Sequence, residues 1–330
     1  MPLPFILGGL VLAAAGYGVK KGLDAKSSND EAKDLFKKAE ERLEETKKRV
    51  ESAESGYKNA LMRLGEKKLH VISRGVSRFV EHFNQLKGHQ FFVKDSDMQD
   101  LHKQVSVAQN SSKQLNASGM SEESAIGGMF AGYGGLCVSG WTTGTMLGGG
   151  LTMGGLAGMV VLGGLVAGPA LAILGAMSTD EMEEKLEKAK SYHSQVEEAV
   201  KKADAIIDRF QAIEKMAKLF TRQITKCDAL LLSLSQDAIA TMKKHNYDTS
   251  LYNQKERDQL CVAVSTLSSL SAFLKMPIMD EHQKLQEKAQ RALEIMKRQM
   301  DALESGQESG RYNVAMIQSK QKDLENLENL

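Results

Sequence analysis

Residues 178–220 read STDEMEEKLEKAKSYHSQVEEAVKKADAIIDRFQAIEKMAKLF. Leu186, Ala189, His193, Val196, Ala199, Ala203, Ile206, Phe210, Ile213, Ala217 and Phe220 follow one another mainly in steps of three and four, the spacing that lines up one stripe of an α-helix against a partner. Ser178-Thr179-Asp180-Glu181 reads as a capping box that opens this helix. The residues between the seam positions are mostly Glu, Lys and Asp, a solvated face laced by i,i+4 pairs. The expected class is therefore all-α: an elongated helical bundle or coiled coil, built outward from this arm.

Immediately upstream the composition changes. Residues 124–179 hold 56 positions without one Asp, Glu, Lys, Arg or His, and 17 of the 29 glycines. All 85 charged residues fall in the other 274, which makes that part about 31% charged. As helix, 56 residues would measure about 84 Å, enough to cross a hydrocarbon core of about 30 Å twice. Gly148-Gly149-Gly150 marks the turn of a hairpin with arms over Ala125–Leu147 and Leu151–Met177. Glycines recur every four residues at Gly128 and Gly132, at Gly140, Gly144 and Gly148, at Gly150, Gly154 and Gly158, and at Gly164 and Gly168. On a helix this forms grooves for close approach of a second helix, the small-xxx-small packing used in membranes. The second arm carries ten Leu, Ile or Val side chains and a Pro169 that would kink it. The first is marginal, with Ser139, Thr142, Thr143 and Thr145, while Trp141 and Tyr133 suit an interface. The competing reading is a glycine-rich hairpin buried in a water-soluble bundle. Nucleotide binding through this segment is not expected: a segment without lysine contains no G-x-x-x-x-G-K-[ST], and Cys137 interrupts G-x-G-x-x-G after Gly132 and Gly134.

A second arm lies on the other side of the insert. After a cap at Ser27-Ser28-Asn29-Asp30, a seam runs through Phe36, Ala39, Leu43, Thr46, Val50, Ala53, Tyr57, Ala60 and Leu64. Beyond Gly65 it restarts in a new phase at Leu69, Ile72, Val76, Phe79, Phe83 and Leu86, stopping near Gly88. The two arms are expected to pair antiparallel. Further helices are expected around Ile224 to Lys244, around Lys255 to Lys275 before Pro277, and from Asp280 to Leu303, with a frayed or short-helical tail after Gly306. The N-terminus offers an apolar run from Leu3 to Val19, about 26 Å as a helix, followed by Lys20, Lys21 and Lys26. It reads as a membrane-touching segment whose basic flank keeps the bulk of the chain cytoplasmic; a packed apolar helix or a cleaved signal are the alternatives. The resulting organisation is residues 1–26 apolar segment, 27–123 amphipathic arm, 124–179 glycine-zipper hairpin, 180–305 helical bundle and 306–330 tail.

Other chemistries find no footing. With 43 Lys+Arg against 42 Asp+Glu the net charge is +1, which argues against a dedicated nucleic-acid binder. Cys137, Cys227 and Cys261 form no CxxC and no disulfide framework, and suit buried or membrane-facing thiols in a reducing compartment. The seven histidines, at 70, 82, 89, 102, 193, 245 and 282, make no HExxH or HxH, so no metal site, cofactor or catalytic residue is expected and the chain does not read as an enzyme. Lys37-Lys38, Lys47-Lys48-Arg49, Lys67-Lys68 and Lys201-Lys202 are interleaved with acids and read as plain helix surface, with contact to anionic lipid as the alternative.

The run Gly163-Gly164-Leu165-Val166-Ala167-Gly168-Pro169-Ala170-Leu171-Ala172, the opening LPFILGGLVLAAAGYGVKKGLDAK and the arm RFVEHF at residues 78–83 resemble a family of bacterial glycine-zipper helical proteins, over most of residues 1–235. Members are sometimes labelled chemotaxis proteins, but this chain has no sensor domain between two spans. The resemblance implies a bacterial, membrane-associated protein and brings no catalytic residues. In layout alone, an apolar hairpin between long amphipathic helices is similar to α-helical pore-forming proteins such as the cytolysin A class, colicins and the apolipoprotein L group. The expected function is thus a membrane-active protein whose hairpin enters a bilayer and oligomerises through its glycine faces, as a pore in a toxin or defence role. The alternative is a membrane-anchored coiled-coil scaffold that recruits a protein partner without permeabilising. The expected partners are a lipid bilayer and further copies of the chain, not nucleic acid.

Overall fold

The computed structural model describes residues 25–87, 180–279 and 285–328. These residues are all-α, with six helices: α1 (Ala25–His70), α2 (Ser77–Phe83), α3 (Asp180–Lys244), α4 (Gln254–Lys275), α5 (Glu287–Ser309) and α6 (Val314–Glu328). A π-helical stretch at Val71–Val76 lies between α1 and α2, and a 3-10 turn at Thr249–Leu251 precedes α4. Among the described residues the only β-type pairings are isolated bridges, Lys87 with Asp248 and Met279 with Leu285. The described residues fall into two compact units, the first made of residues 25–45 and 180–201, the second of residues 46–87, 202–279 and 285–328.

In the first unit α1 and α3 bury Ala32, Phe36 and Ala39 against Ala189, Tyr192, Val196 and Val200, with Leu35, Leu43 and Leu186 leaning on the cluster. The Phe36 and Tyr192 rings sit 5.4 Å apart, and Arg42 Nε lies 3.2 Å from Glu197. Residue numbers rise together along both helices, so the pair is parallel. The second unit has the same sense: Arg49 Nη2 meets Asp204 at 2.9 Å, Tyr57 stacks on Phe210 at 5.0 Å, and Lys67 Nζ donates to Asp228 at 2.8 Å. This overturns the antiparallel expectation. A three-four seam reads the same in either direction, and only a short connection dictates antiparallel neighbours; here 92 residues separate Lys87 from Asp180.

The α1 seam is buried as its spacing dictates: Phe36, Ala39, Thr46, Val50, Ala53, Tyr57, Ala60 and Leu64 face inward, with Leu43 half-buried. On α3 two positions differ by one residue, Tyr192 packing inward in place of His193 and Ile207 in place of Ile206, the displaced pair being half-buried. Both choices satisfy a three-four pattern between Ala203 and Phe210, and adjacent isoleucines give the periodicity nothing to discriminate. The residues expected to cap α1, Ser27 to Asp30, lie within the helix. The phase change past Gly65 has a structural cause. Leu64, Lys68, Ile72 and Val76 are all buried at successive steps of four, which in a pure α-helix would rotate the stripe by about 40° per step. The wider π-helical turn at Val71–Val76 absorbs that drift and brings Phe79, Val80, Phe83 and Leu86 back onto the inner face.

α3 runs unbroken for 65 residues, so the helix expected to begin at Ile224 is its continuation. α4 occupies the middle of the C-terminal bundle. Every residue from Val262 to Leu274 is buried, as befits a helix with no charged side chain over that stretch. Phe273 stacks on Phe220 of α3 at 4.4 Å and 9°, Gln299 Nε2 of α5 donates to Ser269 Oγ at 2.7 Å, and α6 packs against both α4 and α5. Two of the buried hydroxyls bond within the helix, Thr266 donating to the Val262 carbonyl at 2.7 Å and Ser269 to that of Ser265 at 2.8 Å, while that of Ser268 has no hydrogen-bond partner. α5 starts at Glu287, seven residues later than expected, and ends on Gly310 at φ 68°, the left-handed cap that glycine adopts without strain. The tail forms α6, burying Ile317, Leu324 and Leu327.

Candidate functional site

The residues singled out for membrane insertion and helix packing, Gly128 to Gly168 with Trp141 and Pro169, lie outside the described residues, as do the N-terminal apolar run and Cys137. Among the described residues no helix is long and apolar enough to cross a membrane, and no group of His, Cys, Asp and Glu is arranged to hold a metal ion. Cys227 and Cys261 are free thiols. Burial, then the neighbouring Asp228, pushes the Cys227 thiol far above its ordinary range, which makes it a packing residue and not a nucleophile.

Two polar constellations stand out in the second unit. The first clasps the end of α2 to the α3–α4 connection. Asn246 and Tyr247 adopt left-handed φ of 51° and 63°, a conformation Asn tolerates and Tyr pays for with about 1–2 kcal/mol. The bend is held from several sides. Tyr247 N donates to the Met242 carbonyl and Lys87 N to the Tyr247 carbonyl, each at 2.8 Å. The Tyr247 hydroxyl lies 2.9 Å from His82 Nδ1 with the rings stacked. Glu256 closes the other side, taking Lys244 Nζ at 2.8 Å and His245 Nε2 at 3.0 Å on one oxygen and the Asn253 amide at 3.0 Å on the other. The hydrogen bonds from Lys244, His245 and Asn253, in that order, hold the Glu256 carboxyl at about 2. His82 is pushed below the ordinary histidine range, by burial first and then by Lys243 and Arg78. Tyr252 is pushed up to about 12, chiefly by burial. His82, Lys244, His245, Tyr247 and Glu256 are all engaged in holding the bend, so the clasp is structural.

The second constellation is open. A groove of about 430 Å³ runs between α1 and α3, lined by Gly56, Asn59, Ala60 and Arg63 on one wall and Glu214, Lys218, Thr221 and Arg222 on the other. An adjoining depression of about 360 Å³ adds Gln211, Lys215 and Leu219. Gly56 is what admits Glu214: a Cβ there would stand 2.7 Å from the carboxylate Oε2. Glu214 in turn binds Lys218 one turn on. This leaves Arg63, Lys215 and Arg222 around a cavity that holds a single carboxylate, already engaged. Such a site attracts anions, with planar guanidinium groups suited to phosphate.

Adjacent basic residues such as Lys37-Lys38 draw attention in the sequence, whereas Lys215, Lys218, Arg222 and Lys226 are spread at helical spacing and look unremarkable. The available signal was the absence of any Asp or Glu from Lys215 to Cys227, which puts four cations on one α3 stretch without acids between them. The contribution of Arg63 across the seam depended on the register of the parallel pair, which periodicity does not reveal. The chain matches no protein-family model, no curated protein and no solved structure.

Proposed function

We propose that this chain is a membrane-active helical protein that inserts residues 125–177 into a bilayer as a glycine-faced hairpin, oligomerising through those faces and permeabilising the membrane in a toxin or defence role. One observation carries the reading: 56 consecutive residues without an Asp, Glu, Lys, Arg or His, 17 of them glycine, inside a chain otherwise about 31% charged. On a biological insertion scale the ten Leu, Ile and Val of the second arm would contribute about 3–6 kcal/mol toward insertion, offset in part by Gly and Pro. The amphipathic helices on either side provide a water-compatible body, with its bulk on the cytoplasmic side of the membrane.

The test is flotation of the purified chain with liposomes of uncharged phosphatidylcholine beside a deletion of residues 126–177, with release of an entrapped dye read in the same samples. Flotation with leakage, both lost on deletion, is the expected result. Flotation without leakage would replace permeabilisation by an anchored scaffold that recruits a protein partner. If intact and deleted chains behave alike, hairpin insertion is refuted.

A further inference from the structure

We propose that the basic groove between α1 and α3 is a docking surface for anionic lipid headgroups, by which the folded body of the protein lies on a negatively charged membrane. The inference rests on the membrane reading above and names the lipid class and the residues that meet it.

The argument starts from a mismatch in charge pairing. Along the α1/α3 pair of the second unit, two cations of α1 find a carboxylate across the seam: Arg49 has Asp204 at 2.9 Å and Lys67 has Asp228 at 2.8 Å. Arg63, between them in sequence, shares its groove with Lys218 and Arg222. The one carboxylate in the groove, Glu214, is engaged by Lys218, and Lys215 stands in the adjoining depression. Cations gathered without counter-charges weaken a helix pair, and an anionic ligand removes that cost.

The ligand is a lipid surface because of Leu219. It is one of the few large hydrophobic residues exposed among the described residues, at 38%, and it lines the depression beside Lys215, Lys218 and Arg222. A phosphate-only partner has no use for an exposed leucine. A membrane interface does, since the aliphatic stems of Lys and Arg lie along apolar surface while their charged ends reach the headgroups, and a leucine enters the acyl boundary.

The experiment uses the full chain with vesicles of phosphatidylcholine alone and of phosphatidylcholine with about 30% phosphatidylglycerol. Each cation at an anionic surface is worth about fivefold in partitioning, so Arg63→Gln/Lys215→Gln/Arg222→Gln should lose about 100-fold on the mixed vesicles. An equal charge change on α5, Arg291→Gln/Lys297→Gln/Arg298→Gln, should lose less than about fivefold. Leu219→Ser should weaken binding with the net charge intact. Matching thermal midpoints for all variants keep folding out of the comparison, and Gln replaces Arg or Lys in a helix at little cost. Wild-type partitioning indifferent to phosphatidylglycerol, or equal losses in the two triple variants, overturns the groove. So does competition by a DNA duplex that is unaffected by Leu219→Ser, which would assign the groove to polyanions in general. Dye release separates the two readings. A groove variant that binds and leaks like wild type overturns the groove and leaves insertion standing, whereas groove-dependent binding without leakage supports the groove and tells against insertion.

Discussion

Truncating Phe220 to alanine strikes the packing of α4 at its best-defined contact. Phe220 and Phe273 are both 0% exposed, their rings 4.4 Å apart and within 9° of parallel. Phe→Ala at such a site removes the transfer free energy of the ring and leaves a cavity, about 3–5 kcal/mol in total. At a urea m-value of about 2 kcal/mol/M this moves the midpoint down by about 1.5–2.5 M, since an unchanged slope converts stability directly into midpoint. Phe220→Leu keeps most of the volume and should cost about 1–1.5 kcal/mol. A double-mutant cycle with Phe273→Leu should return a coupling of about 0.5–1.5 kcal/mol, the increment of a stacked pair beyond burial. The assay is urea unfolding followed by circular dichroism at fixed protein concentration. A loss below about 1 kcal/mol for Phe220→Ala, or strict additivity of the two leucine variants, would refute the central placement of α4.

The parallel register predicts its own cross-links. A carbodiimide should join Lys67 to Asp228 and, in an Arg49→Lys variant, position 49 to Asp204; links that descend along α3 as they ascend along α1 would restore the antiparallel pair. Glu256, depressed to about 2, contributes stability that is present above the ordinary carboxylate range and lost as pH falls from about 4.5 to about 2. Glu256→Gln should therefore flatten the acid-unfolding curve within that window, and an unchanged curve would contradict the clasp. His82, depressed by burial, favours the neutral ring, so its contribution is held above the ordinary histidine value and lost as pH falls below about 6.5; His82→Gln should remove that component of helicity loss. In a Cys137→Ser background a thiol reagent should modify partly buried Cys261 under native conditions and reach Cys227 only with unfolding, and native labelling of Cys227 would show that the α3 core opens.

The sequence made the helical class and most inward faces legible because a seam of three and four is a direct print of 3.6 residues per turn. Phe36, Val50, Tyr57, Phe210 and Phe220 all lie where that print puts them. It was silent on direction, which is a property of the connection, and on the choice between Ile206 and Ile207, which chemistry does not distinguish. The π-helical turn was visible only as a change of phase past Gly65, with its cause hidden in the run of fours from Leu64 to Val76. The burial of α4 was written in its sequence as Val262 to Leu274 without a charge, yet serines at 265, 268, 269 and 271 make that stretch look amphipathic until all four are seen buried, with Ser269 donating to the Ser265 carbonyl and accepting from Gln299. The candidate groove was the least legible part, because Arg63 belongs to one helix and Lys218 and Arg222 to another, and only tertiary structure joins them.

The parallel sense of α1 and α3 also sets a timetable. Their partner residues lie about 155 residues apart, Phe36 with Tyr192 and Arg49 with Asp204. An antiparallel hairpin zips from its turn as soon as both legs emerge, whereas this pair waits for the whole intervening chain. At about 5–20 residues per second a ribosome needs about 8–30 s to supply that length. Throughout that interval the apolar seam of α1 has no α3 to cover it, while the uncharged glycine-rich segment leaves the ribosome ahead of α3. Contacts of such long sequence separation also slow refolding of the finished chain, so the order of synthesis gives a membrane, a chaperone or a second nascent copy first access to these surfaces.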